Sequence, residues 1–277
     1  MNLSKKIIFI NLCMLISTSS LLSQSIFSYK GGGSNSIGKR IKTPPGFKRI
    51  AVTPNSFAAW LRKLPLKPAA SPALDYRGRI KKSAYDTTVA AVVDMDILGK
   101  NLDQCMDILM RLRAEYFISQ NRREAIAFPL PDGTMLPWRD WKKGYRFYLK
   151  NYRFFLKKSA DSNSSKRNFE IYLRSVFDYT GTQAFYHYYK TIPFDSLKIG
   201  DFIVKKNPHG HAVMIVDIAE DEHGNKIALI GQGDTPACQF YILNNKKNNP
   251  WFSINKSQQY PPLPIKKRMN WDGLRRF

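Results

Sequence analysis

At 277 residues the chain suits one large domain, or one domain plus an extension, and its 43% apolar share is that of an ordinary globular protein with a full core. Beyond the N-terminus no apolar stretch is long enough to span a bilayer, so the chain is peripheral to a membrane at most. The formal net charge of +23 attracts polyanions, but no run is basic enough, or interleaved with aromatics tightly enough, to argue a nucleic-acid site.

The first residues read as a targeting segment. Lys5 and Lys6 form a basic region, Ile7–Ile16 an apolar run of about ten residues broken only by Asn11, and Ser17–Ser20 a small, polar stretch. This predicts an export signal over residues 1–23, and hence a periplasmic or extracellular protein; the alternative, an uncleaved anchor, is disfavoured by the short apolar run. Cys13 lacks the small neighbours of a lipoprotein signal. The polyanions available to an exported protein are envelope phosphates and acidic glycans. Export also favours a disulfide between the two remaining cysteines, Cys105 and Cys238; the alternative is that one of them is a free, reactive thiol.

Residues 24–48, with Gly31-Gly32-Gly33, Pro44 and Pro45, read as a flexible lead-in, and residues 49–277 as a single α+β domain. Ser56 suits the N-cap of a short helix over Phe57–Lys63, stopped by Pro65 and Pro68. Thr87–Met95 is β-branched and apolar, a strand. Asn101–Gln120 carries the strongest helix signal. Leu102, Cys105, Leu109, Leu112 and Tyr116 share one face, Asp103 is placed to cap it, and Arg111, Arg113 and Glu115 relieve it. Pro131-Asp132-Gly133 marks a hairpin turn. The stretch 138–190 is aromatic and basic and reads as a helical insertion, with helices over Arg167–Tyr179 and Gln183–Lys190. The sheet core falls at 200–243: Asp201–Lys205, a turn with Pro208 and Gly210, then His211 and the apolar run Ala212–Val216, then Lys226–Ile230 ending in Gly231-Gln232-Gly233-Asp234, and Gln239–Leu243. The tail from Asn244 reads as surface-lying.

Chemistry concentrates on three positions. A cysteine in the first turn of a helix sits in the positive potential of the helix end, which lowers a thiol pKa. A histidine at the edge of a following sheet can serve it as base, and a third polar group can hold the imidazole in the right tautomer. The chain supplies Cys105, His211, and then Gln232 or Asp234. Asp217 shares a strand with His211 but lies roughly 20 Å along it and cannot orient the ring. A turn centred near residues 222–224 brings 232–236 opposite His211. His209, in the turn, is the rival base; His187 and His223 read as surface residues. His209 and His211 with Asp201 have no spacing of a zinc site, and no metal or cofactor is expected.

Gly200-Asp201 with Gly210-His211-Ala212-Val213 and Ile215-Val216 resembles the histidine segment of NlpC-type and CHAP-type cysteine peptidases and amidases. Asp103-Gln104-Cys105-Met106-Asp107 looks like their cysteine segment, without the usual Asp-Cys-Ser/Gly pattern. A resemblance covering nearly the whole mature chain is to the exported bacterial family known as domain of unknown function 4846. It rests on Ser56-Phe57-Ala58, Trp60-Leu61-Arg62 and Leu64-Pro65-Leu66, on Leu102-Asp103-Gln104-Cys105 with Arg111-Leu112-Arg113-Ala114-Glu115-Tyr116, and on Gly200-Asp201, Gly210-His211-Ala212-Val213, Gln232 and Pro236-Ala237. These resemblances imply a papain-like core with a cysteine-bearing helix on an antiparallel sheet. They favour Gln232 over Asp234 as the third residue, and argue against an essential disulfide at Cys238. The expected function is a thiol hydrolase cleaving peptide or amide bonds of the cell envelope, with Cys105 as nucleophile, His211 as base and Gln232 as orienter. The partners are envelope peptide, glycan or another anionic polymer. The alternative is a non-catalytic envelope-binding or scaffold protein on the same fold.

Overall fold

The computed structural model describes residues 33–97, 99–206, 208–245 and 249–277. The export segment read over residues 1–23 lies outside these residues, as do residues 24–32 of the lead-in. The rest of that lead-in is packed onto the domain. Ile37, 0% exposed, opens a helical turn, Ile37–Arg40, whose first N–H donates to Leu64. Among the described residues no helix is long and apolar enough to cross a membrane.

The fold is α+β, organised on one antiparallel sheet of eight strands: β1 (Lys48–Arg49), β2 (Val89–Val92), β3 (Phe202–Lys205), β4 (His211–Glu220), β5 (Lys226–Gln232), β6 (Tyr241–Leu243), β7 (Trp251–Ile254) and β8 (Leu274–Arg275). Their order is β8-β3-β4-β5-β6-β2, with β1 joined to the far end of β4 and β7 to the start of β5. The sheet therefore draws strands from well outside 200–243. The two-residue strands β1 and β8 are too short to carry a period, and the tail from Asn244 contributes β7 and β8 instead of lying on the surface.

The central strand explains the rest. All of β4 except Glu220 is buried, so its apolar run needs cover on both faces. Its pairing with β5 runs from Glu220 opposite Lys226 to Met214 opposite Gly231, with Val216 as an extra residue between Ile215 and Asp217. Such a bulge bends the strand and reverses which face the following side chains take. Asp217, beyond the bulge and fully buried, meets Arg49 at 2.6 Å and Arg62 at 2.7 Å. One buried carboxylate thus clamps β1 and helix α1 (Phe57–Arg62) to the sheet. Helix α1 is capped as its sequence dictates, Ser56 Oγ accepting from the Ala59 N–H at 3.2 Å.

Helix α2 (Cys105–Ser119) packs directly on β4 and is buried on nearly every side. Arg111 and Glu115 are inside it, not polar relief on its surface. The Arg111 guanidinium meets Glu115 at 2.9 Å and Asp103 at 3.3 Å, all three buried. This corrects the capping role expected of Asp103. A guanidinium without water demands opposite charge, and Asp103 supplies it. Gln104 takes the N-cap position, and Asp107 Oδ2 accepts the Gln104 N–H at 3.1 Å.

The insertion at 138–190 is only partly helical. Tyr145–Lys150 and Arg153–Lys158 form a hairpin joined by Asn151 and Tyr152, both at positive φ (51° and 60°), the geometry of a type I′ turn. Its cross-strand pairs Phe147 with Leu156 and Tyr148 with Phe155 lie on opposite faces of the hairpin. Helices α3 (Lys166–Tyr179) and α4 (Thr182–Tyr188) follow.

Candidate active site

Three chain ends meet near one point. Cys105 is the first residue of α2, His211 the first of β4 and Gln232 the last of β5. They are 7%, 2% and 3% exposed. The β4–β5 register, continued past Met214, puts Gln232 opposite Val213, a diagonal neighbour of His211 on one face of the sheet. Gln232 Oε1 lies 2.7 Å from His211 Nε2. Asp234, past the end of the strand, turns instead to Lys81 at 3.5 Å and to the Thr235 N–H. Of the two candidates left open by the sequence, Gln232 contacts the ring.

The amide is itself oriented. Gln232 Nε2 donates to Tyr241 Oη at 2.6 Å, which leaves Oε1 as acceptor and makes His211 Nε2 the donor. The neutral imidazole then carries its lone pair on Nδ1. That atom is buried and has no hydrogen-bond partner among the described residues. A buried acceptor left open in this way is costly to maintain and points to a role in chemistry. The Cys105 sulfur lies against the strand just past His211: the backbone N–H groups of Ala212, the residue after His211, and of Met106 face the sulfur. Two glycines permit this closeness. A Cβ on Gly233 would lie 2.9 Å from Ile108 Cγ2 and 3.3 Å from the Gln104 carbonyl, so only glycine lets α2 approach the end of β5. A Cβ on Gly210 would overlap Thr182 Oγ1, which lies against the turn before His211.

Cys105 opens onto a polar cleft of about 230 Å³ whose lining includes Gln104, Asp107, Thr182, Gly210 and Thr235. A larger cavity, about 490 Å³, lies elsewhere and does not touch Cys105.

The electrostatics correct one expectation. The helix end was expected to lower the thiol pKa; instead burial, reinforced by the Asp107 carboxylate, pushes Cys105 up to about 11. The facing N–H groups and Lys267 oppose this without prevailing. Burial lowers His211 from 6.5, against its hydrogen bond to Gln232 Oε1, which raises it. Burial also raises Asp107 well above 3.8, with Asp103 and Asp178 adding to it. At neutral pH the closed site therefore holds a neutral thiol and a neutral imidazole.

Cys238 is a second buried free thiol, pushed up to about 12 by burial and then by Asp234; of the two states left open, Cys105 and Cys238 are free and not bonded to each other. His209 occupies the turn before β4 at positive φ (59°), and His223 is exposed on the β4–β5 turn. No group of three or more His, Cys, Asp or Glu among the described residues is arranged to hold a metal ion. Tyr241 and Asp107 were not anticipated. Nothing local marks Tyr241; Asp107 could have been found from its place three residues after the N-cap, where a carboxylate closes a capping box.

A family model described as "Domain of unknown function (4846)" matches residues 37–265. Searches of curated proteins and of solved structures return no match.

Proposed function

Because the chain belongs to this family, whose description assigns no activity, we propose a function from the geometry: an exported thiol hydrolase that cleaves peptide or amide bonds of the cell envelope. One observation carries the proposal. Gln232 fixes the His211 ring through Nε2 and leaves a buried, unpartnered Nδ1 next to the segment that touches the Cys105 sulfur. That is the arrangement a thiol–imidazole pair needs. The resemblance to NlpC-type and CHAP-type enzymes, with their papain-like cores, supports the same reading.

In this scheme Nδ1 takes the Sγ proton as the sulfur attacks the carbonyl carbon. The carbonyl electrons move to oxygen, near the first N–H groups of α2, which have no intrahelical acceptors. On collapse the C–N bond breaks and the amine leaves with the proton from Nδ1. Water, deprotonated by Nδ1, then hydrolyses the thioester. The cost of the first transfer is set by burial. With the thiol near 11 and the imidazole below 6.5, moving the proton in the closed site costs about 6 kcal/mol or more. Substrate entry must lower that cost by adding dipoles to the cleft or by neutralising Asp107. The hairpin over 145–158 suits an anionic partner. Tyr148 and Phe155 stack at 5.5 Å, 45% and 42% exposed, with Lys150 and Arg153 paired beside them.

A second reading, a non-catalytic binding protein, is favoured by the same closed, neutral thiol. Incubation with amide-linked cell-wall peptides, followed by mass spectrometry, separates the two. The hydrolase reading expects released fragments from the native protein and none from Cys105→Ala or His211→Ala. Native protein that matches Cys105→Ala from pH 5 to pH 9 sinks it.

A further inference from the structure

The larger cavity, about 490 Å³, is bounded by the start of α1, the turn into β3, the C-terminal Phe277 and one side chain of α2, Arg113. Its walls are mainly apolar, through Val52, Phe57, Ala58 and Ile199, and its size is that of a small-molecule site. Sequence features unrelated to the thiol converge on it: Ser56-Phe57-Ala58, Arg113 and Gly200-Asp201 all line it.

Arg113 is the anomaly. Other arginines drawn into this protein have hydrogen-bond acceptors: Arg49 and Arg62 share Asp217, Arg111 has Asp103 and Glu115, Arg276 has Asp201, and Arg275 has the backbone carbonyls of Tyr186, Asp272 and Leu274. Arg113 has no ion pair or hydrogen bond among the described residues, and its Nε is buried without a partner. It is held in place by rings alone, its guanidinium 4.4 Å from the centre of Phe117, 4.9 Å from Phe57 and 5.4 Å from Tyr116. Asp201, the only acidic side chain lining the cavity, is already taken. Its two oxygens receive Arg276 at 2.6 and 2.8 Å, and one also accepts the Lys198 N–H at 2.7 Å. A half-buried guanidinium fork facing a mainly apolar chamber has no ion pair among the described residues, and a carboxylate is the group that matches the fork.

We propose that this cavity binds a small ligand with an apolar body and a carboxylate, the carboxylate on Arg113 and the body between Phe57, Ala58 and Ile199. The site is independent of the Cys105 reading. Arg113 lies eight residues along α2, about 12 Å by the rise of the helix.

Dodecanoate, below its micellar concentration, and dodecan-1-ol are suitable probes, compared by calorimetric titration and by thermal shift. The expected result is saturable binding of dodecanoate, binding of the alcohol at least tenfold weaker, and a loss of at least tenfold for dodecanoate in Arg113→Gln. Equal binding of acid and alcohol, or undiminished binding in Arg113→Gln, overturns the proposal. If Arg113→Gln does not fold, Ala58→Leu decides. It fills the chamber and keeps the charge, so binding should disappear; retained binding places the probe elsewhere and overturns the proposal.

Discussion

The N-terminus and the middle of helix α2 make opposite kinds of site. At its N-terminus the cleft beside Cys105 is small, about 230 Å³, and lined with polar groups, and the nearby His211 ring is fixed by its hydrogen bond to Gln232, which in turn donates to Tyr241. Two turns further on, Arg113 faces a chamber of about 490 Å³ with apolar walls, and is fixed by aromatic rings. Volume does not locate chemistry here. The small cleft has a thiol but little surface to bind with; the large chamber has surface and four charged side chains, Arg113, Lys198, Asp201 and Arg276, of which Arg113 has no ion pair among the described residues. A helix buried on almost every side can serve both, because each stretch inherits its character from what it packs against.

The largest effect should come from the pin between the two sites. Arg111→Met leaves the Asp103 and Glu115 carboxylates buried without the guanidinium, and should cost about 3–5 kcal/mol in urea unfolding. A cost under about 1 kcal/mol would mean that the two sites are held independently. Next is Gln232→Ala, which frees the His211 ring and leaves Tyr241 Oη without its donor. Hydrolysis should fall by about 100-fold or more, in kcat rather than KM, while dodecanoate binding is unchanged. An equal fall in both would make Gln232 a structural residue only.

The smallest effect is in pH dependence. Burial holds Asp107 protonated above its ordinary 3.8, so the folded state binds a proton that the unfolded chain has lost. Stability from this group is full below about 3.8 and is lost as pH rises through the folded pKa. Asp107→Asn should flatten that decline. It should also move the alkylation of Cys105 by iodoacetamide, otherwise rising toward about pH 11, to lower pH. An unchanged alkylation profile would remove Asp107 from the electrostatics of the thiol. His211 has the opposite sign: its folded pKa lies below 6.5, so its contribution is present above 6.5 and lost as pH falls through the folded value.

Much of the frame was legible in the chain. The periodic run after Leu102 marks α2, the apolar run after His211 marks β4, and the turn near 222–224 brings Gln232 back to His211, because strand pairing across a short turn is a local matter. The bulge at Val216 was not legible, yet it determines which face Asp217 takes. The hairpin at 145–158 was hidden by aromatic residues that suit a helix or a strand equally.

By itself, then, the sequence determined the α+β class, the helix that carries Cys105, the strand that begins at His211 and the shortlist of Gln232 and Asp234. Only the tertiary structure decided that Gln232 holds the ring, that Asp103 serves Arg111 and not the helix end, that Cys105 and Cys238 are free thiols, and that Arg113 faces a chamber with no ion pair among the described residues. The reason is common to all four. Periodicity and turn chemistry act between neighbours in the chain. Desolvation and charge pairing depend on which distant residues exclude the water, and so on the packed fold.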